Sequence, residues 1–196
     1  MLVLKNVSKT FGLGSSNERR ALDKVDLVLN EGEFVTVIGG NGAGKSTLFN
    51  CISGIHEIDE GEIILDSQDI TYQPEYKRSR YIGRVFQDPL KGTAFDMTIE
   101  QNLAIALAKG QSLSLRPGVT KKELALLRER LAMLDLGLEN RMKQKVGLLS
   151  GGQRQALTLL MATLVKPKIL LLDEHTAALD PAIAKKVMEL TRRIVE

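Results

Sequence analysis

Tryptophan is absent, cysteine occurs once, proline five times, and aromatic residues make up only 4% of the 196 residues. A single thiol, Cys51, rules out an intramolecular disulfide and fits a reducing compartment. It falls a turn or so into a predicted helix, where a packed core thiol is the expected role. No stretch approaches the roughly 18 apolar residues of a membrane-spanning helix. The start, Met1-Leu2-Val3-Leu4-Lys5-Asn6, lacks the basic-then-apolar order of a secretory signal. The expectation is a soluble, cytoplasmic chain that reaches a membrane only by docking on something already there. An excess of one charge is missing too: 27 Lys and Arg against 24 Asp and Glu leave +3, with the signs interspersed. So mild a balance gives no reason to expect a nucleic-acid partner. The 43% of apolar residues is enough for a real core, in one domain with room for a second lobe.

What is present centres on Gly39-Gly40-Asn41-Gly42-Ala43-Gly44-Lys45-Ser46-Thr47, which follows the apolar run Phe34-Val35-Thr36-Val37-Ile38. This is G-x-x-x-x-G-K-[ST], a phosphate-binding loop, in the strand-then-helix context the motif requires. Its glycines let several backbone N–H groups point into one concavity, and the helix beginning near Lys45 adds the positive end of its dipole. Lys45 can reach the outer phosphates as a point charge, and Ser46 has the hydroxyl that a Mg²⁺ ion would take as ligand.

Around this loop the pattern alternates between strands and helices. Strands are predicted at residues 2–11, at Val25–Leu29, at Phe34–Ile38, at Glu62–Asp66 and at Tyr81–Phe86, with Gln87 next. Lys45 to about Gly54 is a helix. From Asp88 to about Val146 helix formers dominate, with a capping-box-like start at Thr98 and Gln101, a loop from Gly110 to Gly118, and a second helix from Thr120 to Leu136. A further helix runs from the Leu149 region to about Val165, and Ile169 to Glu174 is an apolar strand that belongs inside a parallel sheet. Asp180-Pro181 starts a last helix. The basic clusters Lys77-Arg78-Ser79-Arg80 and Lys185-Lys186 read as solvated faces.

Two groups add to the phosphate loop. Asp173 and Glu174 end an apolar strand, and ligands of open α/β sheets bind at the carboxyl ends of strands. Asp173 is placed to hold Mg²⁺ and Glu174 to polarise an attacking water. The stretch Leu149-Ser150-Gly151-Gly152-Gln153 is a second anion-binding helix start, with Ser150 as N-cap and two glycines baring first-turn N–H groups. One chain thus offers two anion-binding helix starts but one lysine-bearing loop.

In this order the phosphate loop, Gln87, Leu149–Gln153, Ile169–Glu174 and Ala178-Leu179-Asp180 resemble the ATP-binding subunit of an ABC transporter. The resemblance implies an α/β fold: a P-loop NTPase core with a parallel sheet, an N-terminal antiparallel β-subdomain and an inserted helical subdomain. Residues 1–87 and 147–196 would be the core lobe and 88–146 the helical lobe of one ATP-binding domain. Gln87 would sense Mg²⁺ and the lytic water, and Ser150, Gly151, Gly152 and Gln153 would bind the γ-phosphate of an ATP held by the other subunit. Asp180 would cross the dimer interface, and Phe11 would stack on adenine. ATP and Mg²⁺ are the implied ligands. A sister or identical ATPase, transmembrane permease subunits docked on the helical lobe, and a substrate-binding protein are the implied partners, at the cytoplasmic face of the cell membrane.

The family's switch histidine is expected well beyond Glu174, whereas the chain stops at Glu196 and has only His56 and His175. The expectation is therefore a C-terminally truncated chain, with His175 a loop residue. Two other readings stay open: a soluble ABC-type ATPase acting on nucleic acid or ribosomes, and a nucleotide-binding regulator without turnover.

Overall fold

A computed structural model describes residues 1–88, 90–109, 119–173, 184–185, 188–189 and 192. The chain divides into two compact units, Met1–Ser79 and Arg80–Glu196.

The first unit opens with β1 (Leu2–Phe11) and β2 (Arg19–Leu29), followed by α1 (Lys45–Ser53), β3 (Glu60–Leu65), β4 (Gln68–Asp69) and the one-turn α2 (Glu75–Arg78). The strands form an antiparallel sheet in the order β2-β1-β3-β4. Alternation sends Leu2, Leu4, Ile63 and Leu65 inward, each no more than 3% exposed. Register shifts interrupt β1 between Leu4 and Val7, where Asn6 turns to a φ of 48°, so Val7 also faces the interior. On α1, Leu48, Cys51 and Ile52 are buried and Gly54 ends the helix. Burial pushes the Cys51 thiol up to about 11, so it remains a protonated core residue, as its sequence context predicts.

Two expectations need correction in this unit. The run Phe34–Ile38, predicted as a buried strand, pairs with no described strand and is exposed, Ile38 by 90%. An apolar run records a preference for burial, but a strand exists only where another backbone completes its ladder. Arg78, read as part of a solvated basic face, is 1% exposed. Its guanidinium donates to the carbonyls of Cys51, Ile52, Thr71 and Gln73 at 2.7–2.9 Å. The last carbonyls of α1 lack intrahelical donors, and a cation at the negative end of the helix dipole satisfies both needs.

The second unit holds β5 (Ile82–Val85), α3 (Ile99–Leu107), α4 (Lys121–Ala132), α5 (Gly151–Thr163) and β6 (Ile169–Leu172). β5 and β6 are parallel, from Ile82 opposite Ile169 to Val85 opposite Leu172. A parallel pair needs a long crossover, and here it contains the helices. Each helix starts on a reciprocal capping box: Thr98 with Gln101, Thr120 with Glu123, and Ser150 with Gln153. Leu103, Leu127, Leu131 and Leu157 are fully buried in one core beneath α5. Each such leucine contributes on the order of 1.5–3 kcal/mol. The Lys109 ammonium, beyond the end of α3, donates to the Ile82 carbonyl at 3.0 Å, and burial pushes its pKa down. Helix α4 stops short of the predicted Leu136 because Asp135 and Gly137 take positive φ.

The described elements are thus α/β in kind: an antiparallel sheet with α1 in the first unit, and a parallel strand pair joined through helices in the second. The predicted loop at Gly110–Gly118, Glu174, His175, Asp180 and the helix start at Pro181 lie outside the described residues.

Candidate functional site

In the first unit, the chain enters the phosphate loop after the exposed run 34–38 and leaves it as α1. Gly42 and Gly44 adopt φ of 78° and 91°, conformations that L side chains rarely tolerate. A Cβ on Gly44 would collide with the Ala21 carbonyl oxygen of β2. The loop is therefore pressed against the sheet at a point where only glycine fits. Gly44→Ala is expected to cost about 1–3 kcal/mol and to shift the start of α1. A urea melt and a nucleotide titration check this; an unchanged midpoint with unchanged affinity contradicts it.

Gly44 is also the N-cap of α1 and supplies no side-chain cap. No acidic residue stands in the first turn of α1 or of α5, whereas α3 and α4 carry Glu100 and Glu123 there. The dipole ends of the two glycine-led helices are thus left for an outside anion. The Lys45 ammonium folds back over the loop, donating to the carbonyls of Gly39 at 2.7 Å and Gly40 at 3.1 Å. The Ala43 N–H donates to Gly40, Asn41 is exposed, and Thr47 is half-buried. Ser46 lies exposed on the first turn of α1.

Phe11 closes β1 directly opposite Arg19, and the Arg19 guanidinium donates to the Gly42 carbonyl. The predicted adenine-stacking ring and the loop therefore share one scaffold. Phe11 is 37% exposed, meets the His56 ring edge-on at 5.3 Å, and has the Lys9 ammonium 5.7 Å from its centre. Lys9 is itself held by Asp59 at 2.7 Å. Burial alone would raise the Asp59 pKa, but the Lys9 ammonium and the Thr10 N–H outweigh it and leave that pKa lowered. Arg19, His56, Lys9 and Asp59 carry no motif signal; the β1–β2 register places Lys9 and Arg19, and the segment between α1 and β3 brings His56 and Asp59 to them.

In the second unit, Asp173 follows β6, 9% exposed, its N–H donating to Val85 at 3.1 Å. The Arg84 guanidinium lies 3.9 Å from the Asp173 carboxylate. Gln87 is exposed two residues beyond β5, and the buried Gln155 of α5 reaches the Phe86 carbonyl beside it at 3.5 Å. At the start of α5, Ser150 accepts the Gln153 N–H and Gln153 accepts the Ser150 N–H, so the N–H groups of Gly151 and Gly152 stand outside the capping box. Arg154 anchors this start by donating to the Leu149 carbonyl at 2.9 Å while stacking on Phe95 at 4.7 Å.

The donor chemistry suits Mg²⁺ bound with a nucleotide. Among the described residues no group of three or more His, Cys, Asp or Glu gathers as a self-sufficient metal cage. Ser46 of the first unit and Asp173 of the second each offer an oxygen donor of the kind Mg²⁺ takes, and Mg²⁺ in nucleotide sites keeps most of its octahedral shell for phosphate oxygens and water.

A loop with the phosphate-binding sequence pattern, α/β elements and a second capped glycine helix start are the features of an ATP-binding cassette, an ATPase of the P-loop class. A family model described as ABC transporter matches residues 22–177, and the chain belongs to that family. It is 47% identical over 195 residues to the tyrosine transport ATP-binding protein of Clostridioides difficile, covering 100% of this chain and 77% of that one. The methionine import ATP-binding protein MetN of Chromohalobacter salexigens is 37% identical, over 99% of this chain and 54% of MetN. The chain thus spans about half the length of some relatives and three quarters of others. A solved dimeric cassette, MJ0796 in a post-hydrolysis state with ADP and Pi, superposes with a TM-score of 0.84 at 32% identity, covering 100% of this chain and 83% of that one. No described helix is long and apolar enough to cross a membrane.

Proposed function

We propose that the chain binds Mg²⁺-ATP in a head-to-tail dimer and energises a membrane importer for an amino acid of the tyrosine class. The observation that carries this reading is the pair of acid-free, glycine-led helix starts, one with a lysine and one without. The 47% identity to a tyrosine transport protein over the whole chain supports the cargo class.

In this reading Gly39 to Thr47 wrap the phosphates, Lys45 draws the β- and γ-oxygens, and Phe11 stacks on the base. Ser46 and Asp173 would hold the metal, and Gln87 would sense it and the lytic water. Bound Mg²⁺ would neutralise charge on the phosphate oxygens. Glu174 takes a proton from water as the water oxygen attacks the γ-phosphorus and the bond to the β-phosphate oxygen breaks. Ser150 to Gln153 of the partner chain grip the same γ-phosphate, and Asp180 sits at the interface. The contacts between ATP and the partner's Ser150 to Gln153 exist only in the closed dimer, so ATP binding favours closure and hydrolysis releases it. Residues 88–146 form the lobe that docks on a permease subunit, which holds the cassette at the cytoplasmic face of the membrane.

The test is uptake. Expressed with the permease genes that neighbour its own, in cells lacking tyrosine import, the chain should fractionate with membranes and support uptake of radiolabelled tyrosine. Lys45→Ala should abolish that uptake. Uptake of another solute with none of tyrosine overturns the cargo assignment; a cassette that never joins the membrane fraction overturns the transporter reading.

A further inference from the structure

We propose that Arg84 is the resident counter-charge of Asp173, occupying electrostatically the role a divalent cation takes over when nucleotide binds. The proposal rests on the reading of Asp173 as a metal ligand.

Parallel pairing sets Arg84 opposite Leu171, and the ladder continues as Asp173 donates its N–H to Val85. Side chains alternate along a strand, so Arg84, Phe86, Leu171 and Asp173 share one face. Both charged side chains are largely withdrawn from water, Arg84 to 10% and Asp173 to 12%. A carboxylate so enclosed requires a compensating charge. At 3.9 Å the guanidinium supplies that charge from beyond hydrogen-bond length. The guanidinium also stacks on the Phe86 ring, whose centre lies 4.6 Å from its central carbon. Phe86 directly precedes Gln87, so the same short segment carries both the counter-charge and the predicted metal-sensing glutamine.

This arrangement makes Arg84 a competitor of the metal. An arriving cation meets a carboxylate already neutralised and a fixed positive charge beside it. Removing the guanidinium has two effects of opposite sign: the metal-free protein loses a compensating charge, and the cation gains affinity. A residue that served only packing would lower stability without tightening metal binding.

The experiment uses the full chain loaded with ATP and titrated with Mn²⁺, followed by electron paramagnetic resonance, with melting temperatures taken in parallel without metal. Arg84→Met is expected to lower the metal-free melting temperature and to tighten Mn²⁺ binding about 3- to 10-fold. Arg84→Lys, which keeps the charge, should stay near wild type in Mn²⁺ affinity. In an Asp173→Asn background Arg84→Met should change that affinity less than about twofold. If the methionine variant does not fold, Arg84→Gln carries the same expectation of tightening. Asp173→Asn binding Mn²⁺ as wild type does would remove the metal-ligand reading itself. Asp173→Asn weakened while Arg84→Met is unchanged or also weakened would overturn the role of Arg84 alone.

Discussion

Lys45→Ala is expected to weaken ATP binding by up to about 70-fold, and Phe11→Ala by only about 5-fold. A unit charge near 4 Å is worth roughly 4 kcal/mol at an effective dielectric of 20. Not all of this reaches the measured affinity, because the ammonium already donates to the carbonyls of Gly39 and Gly40 and must exchange those bonds for phosphate contacts. Charged hydrogen bonds of that kind contribute about 1.5–3 kcal/mol, which leaves a net loss of about 1–2.5 kcal/mol. Stacking a base on an aromatic ring gives about 1–3 kcal/mol. Phe11 falls at the low end because His56 already meets its ring. A titration with a fluorescent ATP analogue compares the two variants directly. Equal losses would mean that the phosphate end does not dominate affinity.

The second large effect concerns Glu174. A positioned general base contributes typically 10²- to 10⁴-fold, so Glu174→Gln is expected to slow phosphate release by about 10³-fold. Glutamine keeps the volume and loses the charge, so ATP binding survives. With opening blocked at the hydrolysis step, the variant accumulates as an ATP-bound dimer, which gel filtration in ATP separates from the monomer. A variant that turns over at the wild-type rate assigns the base elsewhere. A variant that neither turns over nor dimerises in ATP breaks the link between nucleotide and closure.

Local rules carried far into the fold. Thr98 and Gln101 cap α3 as their i, i+3 spacing predicts, because the two hydrogen bonds involve only four neighbouring residues. Gly44 and Gly54 bracket α1 for the same reason, and the apolar run at Ile169 reads as a parallel strand, as it is. Failures appear where the decisive partner is distant in sequence. Phe34–Ile38 has the composition of a buried strand, yet burial depends on a neighbouring backbone that composition cannot supply. Arg78 sits in a basic cluster and looks solvated, but the carbonyls it caps lie up to 27 residues away at Cys51. The candidate site divides along the same line. Gly39 to Thr47 and Leu149 to Gln153 are contiguous and legible as motifs, whereas Arg19 reaches the phosphate loop of the first unit through the β1–β2 register, His56 meets Phe11 from the segment after α1, and Arg84 nears Asp173 of the second unit through the β5–β6 pairing. The roles of Glu174 and Asp180 rest on their sequence neighbours, Asp173 and Leu179, and on the family to which the chain belongs.

The account stands or falls on the sharing of one triphosphate by two molecules. A crystal structure of the Glu174→Gln protein with Mg²⁺-ATP measures it most directly. The expected result is a head-to-tail dimer in which the γ-phosphate held by Lys45 of one protomer lies within hydrogen-bond distance of the Ser150 hydroxyl and the Gly152 N–H of the other. An ATP-loaded structure with the start of α5 remote from every γ-phosphate would contradict it.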